Sequence, residues 1–134
     1  MELIIQTKGH TDIIDITEKV RNLVKKSKVE NGLAHLFVIG STAAITTIEY
    51  EKGLLKDIRN ILEKIAPEEI DYEHNKAWGD DNGYAHIRAS LIKPDLSIPI
   101  ENGELILGTW QQIVLIDFDN RPRTRKIILK IIKQ

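Results

Sequence analysis

The segment that most limits the fold is Lys52 to Ile65, where Leu54, Leu55, Ile58, Ile61, Leu62 and Ile65 recur at helical spacing. That spacing lays an apolar stripe along one side of a helix, which another layer must cover. Pro67 stops the helix, because proline has no N–H to donate and its ring clashes with the preceding turn. Almost everywhere else the period changes. Leu3 to Thr7 is β-rich, and Asp12 to Ile16 alternates well enough to be its partner. Thr17 then caps a second helix with Val20, Leu23 and Val24 on one face and Gly32 as its stop. Leu33 to Ile39 and Ile45 to Glu49 read as strands around the small-residue turn Gly40-Ser41-Thr42-Ala43-Ala44. Ile70 to Tyr84 is polar and irregular, and Tyr84 to Ile92 suits a short helix with His86 and Ser90 on one face.

Leu96 to Ile100 and Leu105 to Leu107 flank Glu101-Asn102-Gly103-Glu104, an Asn-Gly hairpin signal. Trp110 to Phe118 and Arg125 to Ile132 are two long strands joined by a charged loop holding Pro122. Two main helices in the first half and strands dominating the second predict an α+β fold with a largely antiparallel sheet. The 134 residues make one domain, 1–134, with enough apolar surface to build its own core.

Charge and composition narrow the function classes. The 19 Lys and Arg against 20 Asp and Glu leave a net charge of -1, so no global field draws in nucleic acid. There is no cysteine, which excludes disulfides, thiolate metal sites and cysteine nucleophiles and fits a reducing compartment. Apolar runs such as Ile113 to Ile116 are too short to cross a bilayer, and Met1-Glu2-Leu3-Ile4-Ile5 lacks the basic start of a secretion signal. The expectation is a soluble cytoplasmic protein.

Of four histidines, His10 reads as a solvated turn residue and His35 as a core or interface histidine in an apolar strand. His74 and His86 bracket a loop holding Asp71, Glu73, Asp80, Asp81, Asn75 and Asn82. A loop of that length inside a compact domain is more often functional than idle. Imidazole with carboxylate oxygen suits a divalent ion such as zinc or magnesium, for which His74, His86 and Asp81 are the candidate ligands. The same pairing serves acid/base work equally well, and a solvated acidic loop with incidental histidines explains it too.

Ser41 and Thr42 in their small-residue turn can offer N–H groups and hydroxyls to a phosphate, although a tight turn between strands explains them as well. Glu49 is a spare carboxylate at a strand end. Thr109, Trp110 and Gln111 interrupt the apolar strands and suit either ligand contact or packing. Arg121, Arg123 and Arg125 alternate, so they share one face of a strand. That face can meet phosphate, but residue types alone favour a solvated edge that guards against strand pairing.

Several segments together resemble the YjbQ-like proteins, often labelled secondary thiamine-phosphate synthase enzymes. They are Ser97-Ile98-Pro99-Ile100-Glu101-Asn102-Gly103, then Gly108-Thr109-Trp110-Gln111-Gln112-Ile113, with His86-Ile87-Arg88-Ala89-Ser90-Leu91, His74 before its Asp/Asn/Gly-rich loop, and Ser41-Thr42-Ala43-Ala44 running to Glu49. The resemblance spans nearly the whole chain. It implies an α+β homotrimer with polar pockets and a histidine cluster, to which His74 and His86 correspond. It also implies transfer chemistry on a small phosphorylated ligand: His74 or His86 moves a proton, Asp80 or Asp81 holds magnesium, and Arg88 meets phosphate. The alternative is a non-catalytic homotrimer that binds a small anion or a metal ion, and a third is a purely structural protein. Many members carry a histidine where this chain has Gly40, which leaves two histidines of three unless Asp81 or Glu49 fills the gap, or else opens room for a phosphate.

Overall fold

A computed structural model describes all residues, 1–134. The elements run β1 (Glu2–Thr7), β2 (Asp12–Asp15), α1 (Thr17–Ser27), β3 (Gly32–Ile39), β4 (Ala43–Ile48) and α2 (Lys52–Ile65). They continue with α3 (Glu73–Trp78), α4 (Gly83–Ile92), β5 (Asp95–Glu101), β6 (Glu104–Leu105), β7 (Gln112–Asp117) and β8 (Arg123–Lys133). The fold is α+β and every strand pairing is antiparallel. The strands divide into two sheets, β1-β8-β3-β5-β6 and β2-β7-β4.

The two sheets pack face to face around one core. Leu36, Val38, Ile127 and Leu129 come from the larger sheet, Ile45, Ile113 and Leu115 from the smaller, and Val20 and Val24 of α1 close one end. The smaller sheet is buried on both faces. Alternate residues of β7, Val114 and Ile116, face a second core with Ala44, Leu62 of α2, and Tyr84, Ala85 and Ala89 of α4. This explains the unbroken apolar run of β7, since a strand covered on both sides needs no polar face.

Helix α2 occupies the residues its periodicity predicts. Glu51 caps it, its carboxylate accepting hydrogen bonds from Gly53 N and Leu54 N at 2.9 and 2.7 Å, which holds the Glu51 pKa below its ordinary value. Helix α1 ends at Lys28 in the left-handed conformation rather than at Gly32, which opens β3. Thr17 is the first helical residue, not the cap: its hydroxyl accepts from Ile113 N and donates to Asp15. The loop from 70 to 84 is interrupted by the six-residue α3, which ends at Gly79 with φ +71°.

β1 and β2 are not partners. β1 pairs with β8 and β2 with β7, because Gly9, His10 and Thr11 all take positive φ and carry the chain from one sheet to the other. A Cβ on Gly9 would lie 2.6 Å from the carbonyl oxygens of Asp119 and Arg121, so only glycine fits this corner. β8 is likewise no edge strand, since it lies between β1 and β3. Arg123 and Arg125 pair with β1 alone, since β3 joins β8 only from Lys126 on, and their side chains reach Asp119 and Asp117 instead of guarding a solvated edge.

Candidate functional site

Three chain corners cross between the sheets at one place: 8–11 after β1, 40–42 after β3, and 118–122 after β7. A corner breaks the strand ladder, so polar side chains must satisfy what the backbone cannot. Here they are Thr7, Thr42, Asn82, Asp117, Asp119 and Arg125, all buried. Asp117 holds Arg125 through two bonds, Nε to Oδ2 at 2.7 Å and Nη2 to Oδ1 at 2.8 Å. Arg125 Nη2 also donates to Thr42 Oγ1 at 2.6 Å, and Thr42 donates onward to Asp119 Oδ2 at 3.0 Å. Arg123 donates from Nε to the same Asp119 oxygen at 2.9 Å.

Burial by itself would raise the Asp119 carboxyl. Hydrogen bonds from Asn120 N–H, the Asn82 amide, Arg123 and Thr42 outweigh that and hold its pKa at about 2. The network leaves Nη1 of Arg123 and Nη1 of Arg125 without acceptors within the chain. The N–H groups of Ser41 and Thr42 are also without internal acceptors.

These groups wall an open polar cleft of about 410 Å³, lined also by Gly40, His74, Trp78, Asp80 and His86. α3 brings His74 and α4 brings His86, so that their rings lie 4.2 Å apart, tilted by 42°. The two short helices are clamped by Asn75 Oδ1, which accepts from Gly83 N at 2.9 Å, and by Asn120 Nδ2 on Asp80 O at 2.8 Å. Burial first, and the neighbouring His74 second, lower the His86 pKa against the opposing pull of Asp119 and Asp80. His86 is therefore neutral at pH 7.

Two buried atoms facing this network have no partner, His74 Nδ1 and Asn82 Oδ1. His74 Nδ1 is 3.8 Å from Asp80 Oδ1, too far for a hydrogen bond. The Asn82 amide is oriented by its donation to Asp119 Oδ1 at 3.2 Å, which turns its oxygen away from that carboxylate. Buried polar atoms rarely stay unpaired, and these two are closed off from solvent, so they lie behind the cleft wall rather than on it.

His74, His86, Ser41 and Thr42 thus come together as the sequence suggests, and the other expected residues do not join them. Asp81, with φ +55°, lines a separate depression beside Glu68, Glu69 and Asp71; Asp80 takes the place expected of it. Arg88 is 2% exposed and committed to Glu63 at 2.8 Å, Ala66 O and Thr11, with its guanidinium 5.0 Å from the Tyr84 ring, so no phosphate reaches it. Glu49 and Trp110 border a depression shared with Tyr50 and Gln112. Gln111 donates to Thr47 and accepts from Gly108 N, and neither it nor exposed Thr109 lines the cleft.

Space at Gly40 goes to Arg125: a Cβ there would lie 2.5 Å from Nη1, and φ +138° already favours glycine. A guanidinium at the position of a third imidazole repels a divalent cation, and no three His, Asp or Glu side chains converge. The donors of this chain do not fit a zinc or magnesium site of their own. Asp117, Asp119 and Asn82 are site residues that local sequence reading misses. The available signal was a polar alternation, Asp117-Phe118-Asp119, ending an otherwise apolar strand.

The whole chain, residues 1–134, matches the family described as UPF0047 protein YjbQ-like. A UPF0047 protein of Archaeoglobus fulgidus is 39% identical over 130 residues, covering 97% of this chain and 98% of that protein. The UPF0047 protein YugU of Bacillus subtilis is 31% identical over 128 residues, 95% of this chain and 94% of that protein. A YbjQ-like protein of unknown function from Sulfolobus solfataricus P2 superposes with a TM-score of 0.94 at 33% identity, covering 100% of this chain and 96% of the other. A YjbQ/UPF0047 protein of Clostridium acetobutylicum superposes at 0.90 with 41% identity over 98% and 99%.

Proposed function

The chain belongs to the YjbQ-like UPF0047 family, and from the cleft we propose that it binds a phosphorylated small molecule and transfers a proton on it. One observation carries this: a close, tilted imidazole pair shares a cleft with two arginines whose outer nitrogens are uncommitted. Each guanidinium is held by a buried carboxylate, so it meets an anion without reorganising first. Neutral His86 accepts a proton at pH 7, and Asp80 nearby offsets part of the resulting charge.

Thiamine-phosphate synthase-like transfer is the specific activity within this proposal. In that reaction a C–N bond forms at a pyrimidine methylene as its C–O bond to pyrophosphate breaks, the electron pair leaving with pyrophosphate. Arg123 and Arg125 would receive the leaving group. The same arginines support a non-catalytic anion-binding protein equally well. Assembly as a homotrimer belongs to the proposal too, supported by exposed Ile4, Phe37, Ile39 and Ile132 on the larger sheet.

The test incubates the protein with the pyrimidine pyrophosphate and thiazole phosphate, with and without magnesium, beside calorimetry with inorganic phosphate. Product that falls at least about 100-fold in His86→Ala while phosphate still binds supports the enzyme. Phosphate binding without turnover of this pair moves the conclusion to the anion-binding protein. Absence of phosphate binding refutes both.

A further inference from the structure

His86 does not only face the polar cleft. It also borders a second depression of about 320 Å³, lined with it by Gly40, Ser41, Ala43, Ala89, Ser90 and Pro94. Three residues, Gly40, Ser41 and His86, belong to both walls. The two depressions are therefore neighbours, with the imidazole at their junction. Their chemistry is opposite. The first presents guanidinium, carboxylate, amide and imidazole groups, whereas the second is mainly carbon, floored by buried Ala43 and Ala89.

The second depression is also preformed. Lys93 and Pro94 are fixed by backbone bonds from β4 and β3, Ile45 N to Lys93 O at 3.1 Å and Val38 N to Pro94 O at 2.9 Å. The Ser90 hydroxyl is occupied by Ile87 O at 2.8 Å and offers no donor to an incoming group. Small side chains at 43 and 89 make the hollow, and a bare Gly40 keeps its shared wall thin.

Building on the proposed anion site, we infer that the ligand is bipartite. Its phosphate lies against Arg123 and Arg125, and a small flat apolar or aromatic group bonded to that phosphate sits beyond His86 over Ala43 and Ala89. The bridging atom between the two parts then passes the imidazole, where a proton is needed when a leaving group departs. Together the two hollows have the size of a small-molecule site, about 300–1,000 Å³.

Calorimetry with inorganic phosphate and with phenyl phosphate tests this on the native protein and on Ser90→Phe and Ser90→Ala. Ser90 is exposed and one helical turn beyond His86, so a phenyl ring there covers the second hollow without entering the core. Phenyl phosphate should bind about tenfold or more tighter than inorganic phosphate, from the area its ring buries. That margin should persist in Ser90→Ala and shrink below about threefold in Ser90→Phe, with circular dichroism confirming the fold. Equal affinities for the two anions in the native protein, or a margin untouched by Ser90→Phe, overturn the inference and leave the anion site standing. Loss of inorganic phosphate binding itself overturns the anion site, and with it this one.

Discussion

Replacing Asp119 with asparagine should remove a stabilisation that depends on pH in a defined way. The carboxylate is fully buried; four hydrogen bonds reach it from Asn120 N, Asn82, Thr42 and Arg123 Nε, and Arg123 Nη2 adds an ion-pair contact at 2.7 Å. Its pKa falls from an ordinary 3.8 to about 2. A group whose folded pKa is depressed stabilises fully above its unfolded value and loses that contribution as pH falls toward the folded one. The difference of nearly two pH units corresponds to about 2.5 kcal/mol above pH 5. About 1 kcal/mol of it is gone by pH 3, about 2 kcal/mol by pH 2, and the small remainder disappears below that.

The Asp119→Asn side chain keeps the shape but leaves Arg123 without its charge partner, so the native protein should exceed the variant by at least that amount at pH 7. Urea unfolding of both proteins at pH 7, 5, 4 and 3 measures the gap. A gap constant within about 0.3 kcal/mol from pH 5 to pH 3 would refute the claim that these hydrogen bonds favour the charged form.

Two further outcomes follow from the same geometry. Arg88→Met should cost about 3–5 kcal/mol in urea unfolding, because Ala66 O and Thr11 lose a buried donor; phosphate affinity of the folded variant should match the native value, and a tenfold loss would return Arg88 to the ligand site. Phosphate binding at pH 7 should take up protons, since a bound anion raises the lowered His86 pKa; calorimetry in buffers of differing ionisation enthalpy reads this, and identical apparent enthalpies, or uptake unchanged in His86→Ala, would contradict it.

The limits of local reading are visible in particular residues. Lys52 to Ile65 was legible because six apolar side chains and a following proline state a helix without tertiary help. His74 and His86 were legible as a pair because a long polar loop between two helical stretches has few reasons to exist. Arg123 and Arg125 were not. Two arginines at alternate positions look the same on a solvated edge and at a polar corner, and only their partners, Asp117 and Asp119, decide between them. Asp81 and Asp80 differ by one residue and by the left-handed backbone of Asp81, which aims it into another depression. No composition argument separates such neighbours. Arg88, expected from the resemblance to meet phosphate, instead anchors α4 to the end of α2, a distant contact that its own helix does not announce.

The charge balance of the corner explains why histidines accompany the arginines. Asp117 and Asp119 cancel Arg125 and Arg123, so this quartet, buried except for the partly exposed Arg123, carries no net charge. Such pairing makes the guanidiniums tolerable in a place where an unpaired cation would cost several kcal/mol. It also means that a phosphate meets well-aimed donors but little net attraction, and Asp80 on the rim opposes it. A group able to gain positive charge on demand resolves the conflict. Neutral His86 adds no uncompensated cation to the cleft, and an arriving anion makes its protonation favourable. In the proposed anion site the arginines therefore set where the anion sits, and His86 supplies the charge that keeps it there.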